Sequence, residues 1–146
     1  MGGPTMPAKN ASKQAGFSAE EKEAMKAYLK EKRGEKGNGP ADLKAAIAAM
    51  PPGERALAQR IHDLVVAAAP GLEQKTWYGF PAYAKDGKVV CFFKPAAKFK
   101  ERYCTFGFNQ FAHLDEGGMW VTSFAIVKPS AADEAKLTAL VNKAVA

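Results

Sequence analysis

Residues 75–94, KTWYGFPAYAKDGKVVCFFK, carry the strongest evidence for a β-sheet in this chain. From about this point the hydrophobic period changes from 3.6 to 2, which is typical of β-strands. The pattern predicts short strands at 75–78 and 82–85, separated by Gly79-Phe80-Pro81, and a third strand at 88–94. Asp86-Gly87 between the last two is a strong signal for a two-residue hairpin.

The rest of the chain places this hairpin within a longer order of elements. Alternating residues predict further strands at 101–108 and 119–127. Ser18 with Glu21 is a capping box that predicts a helix to about residue 33, and helical spacing predicts further helices at 41–50 and 54–69. Ser130 caps a last helix with Asp133 at its third position. Helices, then about five antiparallel strands, then a helix predict an α+β fold with the helices on one face of the sheet.

Composition and charge set limits on the class of protein. The chain has 146 residues, 47% of them apolar, which suits one compact domain. We expect residues 1–16 to be a disordered tail, residues 17–39 to be a helical extension with a linker, and residues 40–146 to form the domain. No apolar run has the roughly 18 residues that a membrane span needs, and no secretory signal is evident, so we expect a cytoplasmic protein. Its net charge of +6 favours anionic partners.

The quoted stretch belongs to a longer set of residues that resembles a known family. Together with KFKERYCTFGF (98–108), LDEGGMW (114–120) and TSFA (122–125), it resembles the YdhG-like family, also called the bacterial frataxin-like iron chaperone family. The resemblance covers residues 41–146 and departs at Val121, where proline is expected. It implies a frataxin-like two-layer sandwich and a role in iron handling, with iron as the implied metal.

No standard catalytic motif is present. The G-x-S-x-G, Walker and G-x-G-x-x-G patterns are all absent, so we predict no catalytic residues and a binding protein rather than an enzyme. Pairing of Cys91 or Cys104 with His113 stays open as a Cys-His alternative, although buried cysteines usually act as small hydrophobes. His62 lies off the apolar face of its helix, and we expect it to be exposed to solvent.

One loop carries a candidate metal site. His113, Asp115 and Glu116 lie within four positions, and an imidazole with two carboxylates is a plausible ligand set for a divalent ion. The alternative is a polar loop closed by Gly117-Gly118. The glutamates of the first helix are interrupted by lysines, and we interpret them as complementing the helix dipole.

Aromatic residues are predicted on both faces of the sheet. Val90 and Phe92 point away from Val89, Cys91 and Phe93, so one face forms the core and the other needs a cover or a ligand. The predicted ligand-binding residues combine aromatic and basic side chains for a small anionic ligand: Trp77, Tyr83, Lys94, Lys100, Arg102 and Trp120. Alternatively, the terminal helices or a partner subunit, as in a homodimer, cover this face. A protein-interaction module and a weak, non-specific nucleic-acid binder are the remaining alternatives, and no sequence-specific DNA binding is expected.

Overall fold

The computed structural model of the protein describes residues 18–32 and 38–146. Its helices are α1 (Ala19–Lys32), α2 (Gly39–Ala48), α3 (Pro52–Ala68) and α4 (Ala131–Val145). Its strands are β1 (Glu73–Trp77), β2 (Phe80–Lys85), β3 (Lys88–Lys94), β4 (Cys104–Phe108) and β5 (Ser123–Ile126). The predicted α+β order is confirmed, whereas the predicted tail at 1–16 and most of the linker lie outside the described residues.

Both predicted helix caps are present, and each is a capping box. The hydroxyl of Ser18 accepts a hydrogen bond of 3.0 Å from the backbone N–H of Glu21, whose carboxylate accepts one of 2.9 Å from the N–H of Ser18. Ser130 and Asp133 make the same reciprocal pair at 3.1 and 2.8 Å. Each box satisfies two N–H groups that a helix N-terminus otherwise leaves without partners, so these residues define where α1 and α4 begin.

The five strands form one antiparallel sheet in sequential order. The predicted hairpin at Asp86-Gly87 is confirmed, with Lys85 paired to Lys88 and positive φ at both turn residues. The predicted break at Gly79-Phe80-Pro81 is wrong. The turn consists of Tyr78 and Gly79, because Phe80 pairs with Trp77 across it and the following residue continues the ladder.

The later strands are shorter than predicted. Residues 97–100 form a turn in which the N–H of Glu101 donates to the carbonyl of Ala96 at 2.9 Å, so β4 begins only at Cys104. Likewise, residues 119–122 precede β5, although the carbonyl of Thr122 already accepts a 2.7 Å bond from the N–H of Phe108. Both strands therefore begin several residues later than the alternation predicts.

Helices α2, α3 and α4 pack on one face of the sheet, as the predicted two-layer arrangement requires. The core joins Leu43 and Ile61 of the helices to Phe93 and Phe106 of the sheet, together with both cysteines. Val90 also belongs to this core, which corrects the prediction that it shares a face with Phe92. A register shift in the β2–β3 ladder next to Tyr83 and Ala84 explains the difference, since a bulge re-aims one side chain.

The first helix lies apart from this core. Its Tyr28 ring stacks on Tyr78 in the β1–β2 turn, with the ring centroids 4.3 Å apart and the planes 7° apart. Its Ala24 and Met25 border the sheet face that α2–α4 leave uncovered. Within the described residues, no helix combines the length and hydropathy that crossing a bilayer requires.

Candidate functional site

The candidate site lies on the face of the sheet opposite α2–α4, which we call the open face. Strand alternation directs Cys91 and Phe93 into the core, so Phe92 and Lys94 of the same strand point to the open face. Cross-strand pairing sets Phe92 beside Gly107 and Lys94 beside Thr105. The open face therefore carries a large ring, a glycine and a cationic side chain within two adjacent strands.

Five aromatic rings, the aromatic cluster, lie at one end of the open face: Trp77, Tyr78, Phe80, Phe92 and Phe99. The centroid of Trp77 lies 5.3 Å from that of Phe92 and 5.8 Å from that of Phe80, and Phe80 lies 5.8 Å from Phe99. These separations and tilts are those that aromatic pairs prefer. Mutual contact holds the rings in place before any ligand arrives.

The β1–β2 turn contributes to the order of this cluster. Tyr78 has a φ of 53°, a left-handed conformation that is uncommon for a bulky residue, and Gly79 follows with a φ of 84°. Two successive residues with positive φ form the tight hairpin turn that matches strand twist. The turn places Tyr78 between the ring of Trp77 and that of Tyr28 in α1.

A glycine in β4 allows Phe92 to lie flat against the sheet. A Cβ atom at Gly107 would meet the Phe92 ring, at 2.9 Å from Cε2 and 3.0 Å from Cε1. Carbon atoms in ordinary contact are about 3.5–4.0 Å apart, so only glycine leaves room for the ring there. Gly107 thus allows Phe92 to take this position, in which its side chain borders the two clefts described next.

The first of these clefts is apolar. A volume of about 360 Å³ lies between α1 and the aromatic cluster, bounded by Met25, Trp77, Phe92 and Lys94 among others. We call it the aromatic cleft. Its size falls in the range of roughly 300–1,000 Å³ that is typical of small-molecule sites.

The second cleft is more polar and shares two lining residues with the first. A groove of about 690 Å³ runs from Phe92 and Lys94 across β4 towards β5, and we call it the polar groove. Its polar lining includes Arg102, Thr105 and Ser123. Because Phe92 and Lys94 border both volumes, an apolar site and a polar site meet at these two side chains.

The polar groove carries a small net positive charge. The Nζ atom of Lys94 lies 2.9 Å from a carboxylate oxygen of Glu101 and 4.9 Å from the centroid of Phe99. The guanidinium of Arg102 lies 5.3 Å from the Tyr103 ring, and no ion pair to it occurs among the described residues. One carboxylate and two cations therefore line the groove, which leaves one positive charge for an anionic ligand.

A third cleft, of about 700 Å³, lies between α1, α2 and the β1–β2 turn, and the sequence analysis did not predict it. Its ionisable lining consists of Glu23, Asp42, Glu54 and a single lysine, Lys98. One oxygen of Glu54 accepts a 2.9 Å hydrogen bond from the N–H of Ala97, which ties α3 to the loop after β3. The excess of carboxylates makes this cleft unsuitable for an anion.

The predicted ligand-binding residues separate into two groups. Trp77, Lys94 and Arg102 border the aromatic cleft or the polar groove. Lys100 instead reaches Glu20 of α1, with 3.7 Å between the charged atoms. Trp120 is partly exposed and lines none of the three clefts described above.

Tyr83 belongs to the core rather than to either cleft. Its hydroxyl lies 2.9 Å from Nδ1 of His62, and burial raises the pKa of the tyrosine. His62 is half-buried beside it, which corrects the prediction that this histidine is exposed. Burial lowers the pKa of His62. The helical periodicity did not predict this pair, because His62 lies at the border of the apolar face of α3. A side chain in that position becomes buried only when a ring from elsewhere in the chain, here that of Tyr83, lies over it.

The two cysteines are buried in the core as expected. Burial raises the pKa of the Cys91 thiol to about 12 and also raises that of Cys104. A reactive cysteine requires the thiolate form, which a raised pKa disfavours at neutral pH. This environment favours a packing role for both thiols over the Cys-His alternative.

The predicted metal-binding loop contacts α4 instead of converging on one point. Nδ1 of His113 lies 2.9 Å from the backbone oxygen of Ala146, and Glu116 forms a 3.2 Å ion pair with Lys143. In residues 18–32 and 38–146, no group of three or more His, Cys, Asp or Glu side chains is arranged to hold a metal. The residues present, including Asp115, do not fit the metal site that the spacing predicts.

No protein-family model, curated protein or solved structure matches this chain. The resemblance to the YdhG-like family therefore stays a prediction made from the residues quoted above.

Proposed function

We propose that the protein binds a small anionic molecule with a flat apolar part on the open face of its sheet. One observation carries this proposal: the aromatic cleft and the polar groove meet at Phe92 and Lys94. A flat apolar group placed against Trp77 and Phe92 would leave an attached anionic group near Lys94 and Arg102. This arrangement suits a binding or accessory protein, because holding such a molecule requires no chemical reaction from these residues.

The energetics favour a prearranged site. Rings already held by contacts with each other lose little conformational freedom on binding, which removes a cost that flexible sites carry. A hydrogen bond to a charged group contributes about 1.5–3 kcal/mol when it is shielded from water. The polar groove is open to solvent, so we expect the lower end of that range for Arg102.

The test uses one tryptophan as a reporter. In a Trp120→Phe background, Trp77 is the only tryptophan, and its fluorescence should change when an aromatic carboxylate or an aryl phosphate binds. We expect Arg102→Ala to weaken this binding about tenfold, since tenfold corresponds to about 1.4 kcal/mol. Lys44→Ala is the matched control, because it removes an exposed charge on α2 far from the open face.

Two results would contradict the proposal. Equal affinity of Arg102→Ala and Lys44→Ala for every anion that binds would show that the polar groove does not hold the anionic group. Binding of a single-stranded oligonucleotide that is much tighter than that of any small anion would favour the nucleic-acid alternative, because stacking rings beside basic groups also suit a single strand.

Iron handling, which the resemblance implies, is not part of this proposal. Ferrous iron needs several converging oxygen or nitrogen ligands. The described residues offer no such group, and two side chains of the loop already have partners, His113 at the backbone oxygen of Ala146 and Glu116 at Lys143.

A further inference from the structure

Four basic residues at the end of β3 and in the turn after it form what we call the basic run: Lys94, Lys98, Lys100 and Arg102. The first and third of them have a carboxylate partner. The Nζ atom of Lys94 lies 2.9 Å from an oxygen of Glu101, and that of Lys100 lies 3.7 Å from an oxygen of Glu20. Such pairing lowers the attraction of each lysine for a further anion, because the two opposite charges largely cancel at a distance.

Lys98 lines neither the aromatic cleft nor the polar groove. Its Nζ atom lies against the β1–β2 turn, 2.7 Å from the place that a Cβ atom at Gly79 would take. There it lines the third cleft, whose other ionisable side chains are all carboxylates. Arg102 is therefore the member of the basic run that lines the polar groove without an ion pair to any described residue.

Glu101 is the one carboxylate among the described residues that line the polar groove. Its side chain is 40% exposed and that of its partner Lys94 is 30% exposed, so a ligand in the groove would meet this ion pair directly. The Nζ atom of Lys94 also lies 4.9 Å from the centroid of Phe99, which borders the aromatic cleft. These two contacts hold the ammonium group, and with it the carboxylate, where the cleft and the groove meet.

We propose that the site selects aromatic molecules with a single negative charge, and that Glu101 is the residue that disfavours a second one. This inference rests on the proposed function, because it specifies the ligand of that same site. One negative charge pairs with the guanidinium of Arg102. A second charge would lose its water without gaining an unpaired cation, and it would lie beside the carboxylate of Glu101. An aromatic monocarboxylate therefore fits the site better than a phosphate monoester, which carries a charge of about −1.5 to −2 at pH 7.

The surroundings of Arg102 also suit a carboxylate. Its guanidinium lies 5.3 Å from the ring of Tyr103, which lines the same groove. Stacking on a ring uses the flat face of a guanidinium and leaves the N–H donors at its edge available. Two parallel donors of that edge match the two oxygens of a carboxylate, so one arginine can satisfy the whole anionic group of the ligand.

The net charge of the whole chain does not remove this selectivity. A charge of +6 attracts anions of either kind during their approach. Exposed charges farther from the ligand than the Debye length, about 8 Å at physiological ionic strength, are largely screened. Discrimination between one and two negative charges therefore depends on the charged groups that line the groove itself, which are Lys94, Glu101 and Arg102.

The test compares two ligands that share one ring system, by titration calorimetry at neutral pH. One is a naphthalene monocarboxylate, and the other is a naphthalene dicarboxylate with its two carboxylates on adjacent carbons. We expect the wild type to bind the monocarboxylate at least as tightly as the dicarboxylate. Glu101→Gln keeps the size of the side chain but removes its charge, which leaves Lys94 available to the second carboxylate. The affinity for the dicarboxylate should then rise about tenfold more than the affinity for the monocarboxylate.

Further variants separate this inference from the proposed function. Glu73→Gln removes an exposed carboxylate of β1 that lines neither the cleft nor the groove, and it should leave the ratio of the two affinities unchanged. Glu101→Lys adds a cation to the groove and should favour the dicarboxylate more strongly than Glu101→Gln does.

Suppose that the monocarboxylate binds and that Arg102→Ala weakens its binding. A wild type that prefers the dicarboxylate, or a ratio of affinities that Glu101→Gln leaves unchanged, would then overturn the inference while the proposed function stands. Failure of both ligands to bind the wild type would instead overturn the proposed function, and the inference with it.

Discussion

Replacing Gly107 by alanine tests the central feature of the open face. The added Cβ atom would lie 2.9 Å from Cε2 and 3.0 Å from Cε1 of Phe92, and closer still to Cζ. Restoring an ordinary carbon contact requires the ring to move by about 1 Å or to turn away from β4. The ring contacts Trp77 at 5.3 Å and Phe80 at 5.7 Å, so its displacement disturbs two aromatic pairs.

The expected magnitude follows from these contacts. Each aromatic pair contributes about 0.5–1.5 kcal/mol beyond the area that it buries, so the loss of two pairs costs about 1–3 kcal/mol. Alanine offsets about 0.5–1 kcal/mol of that loss, because glycine loses more backbone entropy on folding. We therefore expect Gly107→Ala to lower the free energy of unfolding by about 1–2 kcal/mol.

Urea unfolding followed by tryptophan fluorescence measures this change, with Gly71→Ala as the matched control. A Cβ atom at Gly71 meets no atom within 4 Å, so that variant should be as stable as the wild type or slightly more stable. The decisive comparison is Gly107→Ala in a Phe92→Ala background, where the ring is absent and the cost should disappear. An equal cost in both backgrounds would refute the reasoning, because the loss would then arise from the backbone of β4.

Two further predictions concern the core. Burial lowers the pKa of His62 in the folded state, so the unfolded chain binds a proton at this histidine more readily. The stability that the buried, neutral His62 contributes is therefore present above about pH 6.5 and declines as the pH falls below it. We expect urea midpoints of the wild type to fall between pH 7 and pH 5.5 more steeply than those of His62→Gln, and parallel slopes would count against the burial of this histidine. The Cys91 thiol, with a pKa raised to about 12, should react with a thiol-specific disulfide reagent only as fast as the chain unfolds. In a Cys104→Ser variant, reaction of the native protein at the rate of a free peptide thiol would contradict that environment.

Much of the architecture was determined locally. Ser18 with Glu21, Ser130 with Asp133 and the Asp86-Gly87 turn act through hydrogen bonds and φ preferences within four residues, so their effects were predicted from the sequence. Alternation along 88–94 likewise predicted that Cys91 and Phe93 are buried and that Phe92 lies on the other face. These features require only the period of a strand and the identity of neighbouring residues.

Contacts between distant residues decided the rest. The stacking of Tyr28 on Tyr78 and the burial of His62 under Tyr83 each depend on a partner far away in the chain. The bulge that turns Val90 into the core lies within the β2–β3 hairpin and depends on the register of the two strands, which the period of a single strand does not show. The candidate site divides in the same way. Trp77, Lys94 and Arg102 border the open face, whereas Tyr83 packs in the core and the loop residues His113 and Glu116 bind α4. A sequence shows which side chains are available for a site, but packing decides which of them reach the same volume, because each ring or charge takes the nearest partner that the fold provides.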